Sequence, residues 1–379
     1  MDTQTSNSSV DTVTDMNDNT PNLGRVVNNR RDKNTEPYEL IGFGQCGWVY
    51  HRRGRNHVVK LARQGYQNAL QTDHTAHLKV HAAFDTHNPP VNVPEPIRLS
   101  PPTSRWWKRH SSILLEAPYD ISQKTPWALL SQRIPPLPKC HRDILIDTFC
   151  PAHKRRDAAA DSKNETALAR VYLGRRRVPG APLPPNFSLR NYNLTLDQLL
   201  QLNAPVADYA RQMGDALCVM HWNAWVDGYG IKFVLGGQPK PPKMASSATA
   251  GKKAAASKDT DSAPQQTQPA YDANLAQLWV LDFDLCSTWD RERMCRFPRE
   301  LVEQLVRTFF ENDPYYPRPY TENEEEEELW EEFSEAYLER ARSMKLVHGL
   351  ARGFIRTIER MQKEDLEKRL GHGIYEYPQ

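Results

Sequence analysis

Three glycines and a lysine near the start of the chain have the types and spacing that hold phosphate. Gly42, Gly44 and Gly47 follow the pattern G-x-G-x-x-G, and Lys60 comes thirteen residues after the last glycine. Glycines at this spacing let backbone N–H groups close over a phosphate, because a Cβ would hold the loop away. The pattern predicts a nucleotide site. A glycine-rich hairpin with an unrelated lysine is the alternative that the loop alone leaves open.

Carboxylates later in the chain could complete such a site. Asp282 and Asp284 follow an apolar run that predicts a buried strand, and side chains two apart on an extended segment share a face. Both can therefore reach one Mg²⁺ ion or its waters. Asp227 lies 55 positions before Asp282, and a polar stretch at 237–273 takes up 37 of these. The remaining 18 positions fit a short strand, a turn and a second short strand.

The residues around the glycines predict strands. Residues 38–41, 48–51 and 57–61 read as three consecutive antiparallel strands, with the glycine loop between the first two. A dinucleotide-binding fold would instead begin a helix at the third glycine. Apolar periodicity then predicts helices, which fall at 69–84, 195–202, 206–224, 300–310, 329–342 and 352–370.

Composition limits the class of protein. The 379 residues carry a net charge of +2, so no basic field points to nucleic acid, which is not expected as a partner. The six cysteines form no C-x-x-C pair and predict free thiols. No apolar run is long enough to span a membrane, and an intracellular protein is expected. Polar composition predicts disorder at 1–35 and in an insertion at 237–273.

From Tyr38 to about Asp290, these motifs in this order resemble the protein kinases. The resemblance implies an α+β, bilobal protein-kinase-like fold. A small antiparallel β N-lobe would span 36–134, and a mainly helical C-lobe would span 135–379. More narrowly, the chain resembles an uncharacterised fungal family of unknown function, some members of which carry a "zinc finger protein" label. The segments that carry this second likeness are residues 132–138, 217–236 and 278–286.

The kinase resemblance implies a role for each candidate residue, with ATP and Mg²⁺ as cofactors. Lys60 would hold the α- and β-phosphates, and Asp227 would orient the acceptor hydroxyl as a catalytic residue. Asp282, with Asp284, would bind the metal. The remaining nucleotide contacts would come from the glycine loop, the hinge between lobes and the residue after the catalytic loop, which are Gly42, Gly44, Gly47, Val49, Gln132, Ile134 and Lys232.

Several positions depart from the kinase pattern. Lys232 stands where a kinase has a metal-binding asparagine, so its cation would repel a second Mg²⁺ or stand in for its charge. Asp-Phe-Asp replaces Asp-Phe-Gly, and no Ala-Pro-Glu follows it. No clear glutamate follows Lys60 in the next helix, where Asp73, His74 or His77 falls nearest.

Three functions remain open at this stage. The first is an ATP-dependent phosphotransferase acting on a small-molecule or protein hydroxyl, similar to aminoglycoside and choline phosphotransferases. The second is a pseudokinase that serves as a binding module for a protein partner. The third is a zinc-dependent nucleic-acid binder using a set of potential ligands whose spacing fits no zinc-finger pattern. That set is Cys140, His141, Cys150 and His153. A histidine stripe at 74, 77 and 81 invites a similar metal reading.

Overall fold

The computed structural model describes residues 36–118, 124–180, 186–239, 271–312, 314–344 and 347–371. The predicted tail at 1–35 lies outside these residues, as does the predicted insertion between 240 and 270. Gly237, assigned to that insertion from the sequence, is the last residue of a strand and pairs with Ala276.

The first part of the chain is a five-stranded antiparallel sheet in the order β1-β2-β3-β5-β4. Its strands are β1 (Tyr38–Phe43), β2 (Gly47–Arg52), β3 (His57–Ala62), β4 (Pro96–Ser100) and β5 (Ala128–Gln132). On β3, Val59 and Leu61 are almost completely buried with Tyr50 in the core of this sheet. Because side chains alternate along a strand, Lys60 faces the opposite side. The sheet falls within residues 36–134.

A second sheet of four strands lies further along the chain, in the order β7-β6-β8-β9. Its strands are β6 (Ala169–Tyr172), β7 (Tyr192–Thr195), β8 (Lys232–Gly237) and β9 (Ala276–Leu281). β6 runs parallel to β7, whereas β8 and β9 form an antiparallel pair in which Lys232 lies opposite Leu281. This register places residue 232 beside the residue that follows β9, which is Asp282.

Two helices lie between strands of the first sheet, and the other helices follow it and make up most of the remainder. In chain order they are α1 (Gln67–His87), α2 (Trp107–His110), α3 (Lys139–Phe149), α4 (Arg155–Ala160), α5 (Leu196–Gln201), α6 (Val206–Val219), α7 (Arg291–Arg296), α8 (Pro298–Glu311), α9 (Glu324–Arg342) and α10 (His348–Gly371). Short 3₁₀ turns occur at Ser111–Leu115, Ala152–Lys154 and Ser162–Thr166. The α+β fold class is confirmed, with an antiparallel sheet first and a mainly helical part after it.

Local sequence explains several helix ends. Thr195 caps α5 in a capping box with Gln198, and Asp290 accepts a hydrogen bond from the Arg293 N–H to begin α7. The helix predicted at 206–224 ends at Val219 and continues as a single π-helical turn, Met220–Ala224. Trp225 then takes a left-handed conformation with φ of 56°, which stops the helix before the loop that carries Asp227.

The helical part packs around aromatic side chains. Phe309, Phe333, Tyr337 and Phe354 are almost completely buried there. The longest helix–helix contact runs between α6 and α9, where Gly214 lets the two backbones approach. A Cβ at Gly214 would lie 2.1 Å from the carbonyl oxygen of Phe333. Only glycine fits this contact.

All six cysteines are free thiols, as predicted. No helix within the described ranges has the length and apolar character needed to cross a bilayer.

Candidate functional site

A cavity of about 360 Å³ lies between the glycine loop, the segment after β5, and the β8–β9 pair. Ten of the eleven residues predicted for the site line it, and they are Gly42, Gly44, Gly47, Val49, Lys60, Gln132, Ile134, Lys232, Asp282 and Asp284. The eleventh, Asp227, is not among its lining residues. Residues as far apart as 42 and 284 therefore converge on one space large enough for a small ligand.

Lys60 is the centre of a cluster of charges in this cavity. Its Nζ lies 2.9 Å from Asp73 Oδ2, 2.7 Å from Asp282 Oδ1 and 2.9 Å from Asp284 Oδ2. Asp73 comes from α1, so the structure selects it from the three partners that the sequence left open. The side chains of Lys60 and Asp73 are 15% and 5% exposed. The lysine thus holds together β3, α1 and the segment after β9.

A second lysine approaches the same cluster. Lys232 donates to Asp282 Oδ2, so both oxygens of this carboxylate are bonded to ammonium groups. Asp282 itself has a left-handed φ of 71°. Such a conformation is uncommon for a residue with a side chain and is concentrated at functional sites.

The protonation states in the cluster follow from burial and from these contacts. Burial would lower the pKa of Lys60, but the three carboxylates together raise it well above its usual value. Burial would raise the pKa of Asp282, yet Lys60 and Lys232 hold it well below its usual range. Burial raises the pKa of Asp73 and of Asp284, with Lys60 opposing the change and Asp282 adding to it. Lys60 and Asp282 are therefore the firmly charged pair.

The chemistry of the carboxylates suits a magnesium ion. Asp73, Asp282 and Asp284 each offer an oxygen, and these atoms lie within 4.8 Å of one another. Among the described residues, this is the only group of three or more potential metal-ligating side chains. Hard oxygen ligands fit Mg²⁺, which would bring positive charge to a bound polyphosphate. Asp282 and Asp284 are the residues that would hold it.

Asp227 lies behind the cavity rather than in it. It is 3% exposed and accepts hydrogen bonds from Ser287 N (2.9 Å), Tyr229 N (3.1 Å) and Gln304 Nε2 (3.0 Å). Its own N–H donates to Ser287 O. Burial raises the pKa of Asp227, although these hydrogen bonds oppose the change. Oδ2 accepts only the Gln304 bond among the contacts found in the described residues, and a role for Asp227 in orienting an acceptor hydroxyl stays a prediction.

The glycine loop is held by a tight turn, in which the Gly44 N–H donates to Gly47 O at 2.9 Å. The glycines differ in what surrounds them. A Cβ at Gly47 would lie 2.5 Å from Leu61 O on β3, whereas a Cβ at Gly44 would meet nothing within 4 Å. None of the three loop glycines has a positive φ. The need for glycine is therefore steric, and it is strongest at Gly47.

Alanine at these two positions is expected to have unequal effects. Gly47→Ala should lower the free energy of unfolding by about 1–3 kcal/mol, because the new methyl group overlaps a backbone oxygen that cannot rotate away. Gly44→Ala, which adds the same methyl group in open space, is the matched control and should leave stability almost unchanged. Urea unfolding at equilibrium measures both. Equal stabilities for the two variants would contradict the close approach of the loop to β3.

Part of the cavity lining is apolar. It includes Val49 and Leu129 from the first sheet and Val234 and Leu281 from the second. The Arg133 N–H donates to Asn56 O, whereas no hydrogen bond from the Ile134 N–H is found within the described part of the chain. The next residue is a proline, which has no N–H. The Ile134 N–H is therefore left for a ligand, and the contact of this segment with an adenine base stays a prediction.

The sequence missed Arg170, which also lines the cavity. It stands on β6, where Arg170 is the register partner of Val234 on β8. Its short strand carries no recognisable motif, and the pairing of β6 with β8 joins residues more than sixty positions apart. The one available signal was that Arg170 stands between the apolar residues Ala169 and Val171. These two are buried, and alternation along a strand places Arg170 on the other face.

The predicted zinc ligands do not assemble into a site within the described residues. Cys140 Sγ lies 3.9 Å from His141 Nδ1, but Cys140 is exposed while His141 is buried against Tyr271. In the histidine stripe, the buried His77 bonds Pro94 O and the His81 ring pairs with Asp85.

Comparison with known proteins gives a limited set of matches. A domain-of-unknown-function family described as "Zinc finger protein" matches residues 278–347, less than a fifth of the chain. The matched residues include two cysteines, Cys286 and Cys295, and no histidine. A structural zinc site takes four cysteine or histidine ligands, so this part of the chain cannot supply one alone. No curated protein matches the sequence significantly.

Two solved structures are similar at a low level. One is a GDP complex of a mutant aminoglycoside 2′-phosphotransferase-IIIa, with 11% identity and a TM-score of 0.23, covering 90% of this chain and 95% of that one. The other is a microcompartment-associated aminopropanol kinase, with 12% identity and a TM-score of 0.22, covering 88% and 94%. TM-scores this low do not by themselves establish a common fold.

Proposed function

We propose that this chain is an atypical kinase-like protein that binds a nucleotide, ATP with Mg²⁺, in the cavity around Lys60. The observation that carries the proposal is the convergence of Lys60 with Asp73, Asp282 and Asp284 beneath the glycine loop. This is the combination that phosphoryl-transfer sites use, namely a lysine for phosphates and carboxylates for metal. Chance convergence of residues separated by more than 200 positions is hard to reconcile with such short contacts.

The reaction that fits this site is phosphoryl transfer to a hydroxyl group of a small molecule or a protein. The γ-phosphorus would form a bond to the acceptor oxygen while its bond to the β,γ-bridging oxygen breaks and ADP leaves. The acceptor proton would pass to a carboxylate or to water. Lys60 would position the phosphates, and preorganised charge would supply most of the acceleration.

A specific observation favours a second candidate, a pseudokinase that binds nucleotide without turning it over. Asp227 is buried, its carboxylate accepts three hydrogen bonds from the protein, and it is not among the residues that line the cavity in which an acceptor would lie. Incubation with γ-labelled ATP and Mg²⁺ separates the two candidates. Slow hydrolysis or transfer supports the enzyme, whereas stoichiometric binding without release of label supports the pseudokinase.

A thermal-shift measurement tests nucleotide binding itself. ATP at 100 times its dissociation constant stabilises a folded protein by about 2.7 kcal/mol, which raises Tm by several degrees in a protein of this size. We expect this shift for the wild-type chain with ATP and Mg²⁺ and its loss in Asp282→Ala. Asp143→Ala alters an exposed carboxylate that pairs with Lys139 and is not among the residues that line the cavity, and it serves as the control. A wild-type Tm that does not respond to nucleotide contradicts the proposal.

A further inference from the structure

Lys232 occupies the position at which a kinase-like site would need a ligand for a second metal ion. It is the first residue of β8, and the β8–β9 register places it beside Asp282, whose Oδ2 accepts from its ammonium group. The kinase pattern places an asparagine here, and an amide oxygen can bind a metal ion. A protonated lysine has no lone pair and cannot do so. The residues present therefore do not fit a second ion at this position.

The contacts of the two lysines indicate which of them would yield to a bound ligand. Lys60 has three carboxylate partners, so it keeps partners if a polyphosphate attracts it away from Asp282. For Lys232, Asp282 is the sole ion-pair partner found among the described residues. Its side chain is 30% exposed and that of Asp282 is 17% exposed, so the pair is partly shielded from water. Movement of Lys60 frees Asp282 Oδ1, whereas Oδ2 stays with Lys232.

We propose that the nucleotide in this protein is accompanied by one divalent cation, and that the Lys232 ammonium takes the place of the second. This inference rests on the proposed nucleotide-binding function and adds to it the metal stoichiometry of the site. Asp282, through one oxygen, and Asp284 would hold the single ion. Coulomb repulsion between Lys232 and a further divalent cation on the same carboxylate keeps the second position closed.

Without a second metal ion, the charge of a bound polyphosphate has to be balanced by the protein, and Arg170 supplies a further positive charge for this. It lines the same cavity. Burial would lower the pKa of Arg170, but Tyr315, Tyr172 and, to a smaller extent, Asp282 raise it. Its one hydrogen bond within the described residues is to Tyr172 Oη, at 3.5 Å, and it has no carboxylate ion pair there. Lys232 and Arg170 together bring two positive charges, the same as one divalent ion. The polyphosphate can thus be neutralised by the protein.

Counting bound Mn²⁺ by electron paramagnetic resonance tests this stoichiometry. The full chain is added in excess over a non-hydrolysable ATP analogue, so that all of the nucleotide is bound. Mn²⁺ is then titrated in, and the concentration of free Mn²⁺ is measured at each step. We expect one Mn²⁺ per bound nucleotide in the wild-type chain and two in Lys232→Asn. Lys232→Met removes the charge without adding a ligand, and Lys139→Asn makes the asparagine change at an exposed site. Lys232→Met and Lys139→Asn should each bind one Mn²⁺ per bound nucleotide.

The possible outcomes separate this inference from the proposed function. Two Mn²⁺ per nucleotide in the wild-type chain, with normal nucleotide affinity, overturns the inference and leaves the proposed function standing. A single ion in Lys232→Asn overturns the assignment of the effect to Lys232. No nucleotide binding in any variant, measured by equilibrium dialysis of the same analogue, overturns both.

Discussion

Lys60→Met is expected to lower the free energy of unfolding by about 3–5 kcal/mol at pH 7, the usual cost of removing one partner from a buried ion pair. Methionine keeps most of the length of the lysine stem but loses the ammonium group. Three carboxylates then remain close together, and the side chains of Asp73 and Asp284 are only 5% and 9% exposed. Lys232 compensates for Asp282 alone. The loss therefore falls mainly on Asp73 and Asp284.

The loss of stability in Lys60→Met should depend on pH, and the charges of the cluster determine the direction of this dependence. Burial already raises the pKa of Asp73 and of Asp284 against the opposing charge of Lys60. Without that charge, their folded-state pKa values rise further above the unfolded value of about 3.9. The folded variant then binds more protons than its unfolded chain. The loss of unfolding free energy is therefore complete at a pH above the raised folded-state pKa, and it becomes smaller as the pH falls through that pKa.

Urea unfolding of the variant and the wild-type chain, from pH 8 to pH 5, measures this effect. Mg²⁺ should also restore part of the stability of Lys60→Met, because a divalent ion can take the place of the ammonium group among three oxygens within 4.8 Å. Lys139→Met removes an exposed lysine paired with Asp143 and is the matched control, with little change expected at any pH. A Lys60→Met variant as stable as the wild type would contradict the placement of Lys60 at the centre of the cluster.

Gly214→Ala is expected to destabilise the protein by at least about 1–3 kcal/mol, although alanine is the better helix former. Gly214 lies within α6, and its missing side chain allows the backbone of α9 to approach. A Cβ there would lie 2.1 Å from Phe333 O and 3.0 Å from Phe333 C, so one helix would have to move away from the other. The aromatic core between the helices would lose contacts in consequence.

The matched control is another glycine inside a helix. Gly353 lies within α10, and a Cβ there would meet nothing within 4 Å. Gly353→Ala should therefore stabilise the protein by about 0.5–1 kcal/mol, the intrinsic preference of a helix for alanine. Denaturant midpoints of the two variants should move in opposite directions. If both rise, the close contact between α6 and α9 is wrong.

Much of the site was predictable because its parts are local patterns. The glycine spacing, the position of Lys60 on a strand and the pair of aspartates after a buried strand each occupy a few consecutive residues. Each pattern also fixes which way its side chains point, through the alternation of a strand. Their convergence followed from the order of the motifs along the chain, which is why ten of the predicted residues line one cavity.

The partners within the site were not predictable in the same way. Asp73 competed with His74 and His77, and the choice depends on how far α1 is rotated about its axis against β3. Asp227 lies in a loop, as expected, but its carboxylate is bonded to the amide of Gln304, 77 residues further on. Arg170 enters the cavity through the pairing of β6 with β8. These contacts arise from tertiary packing, which no local pattern encodes.

The hydrogen bonds between Asp227 and Ser287 also bear on how this protein could be controlled. The chain from Leu285 to Asp290 is short, and it is fastened by the Asp227–Ser287 contacts, by the bond from Trp289 N to Trp225 O and by the start of α7. In many protein kinases a longer stretch at this place rearranges on phosphorylation and switches the enzyme on. Here the stretch is six residues long and is bonded to residues 225 and 227, so a rearrangement of that kind would first have to break the Asp227–Ser287 contacts.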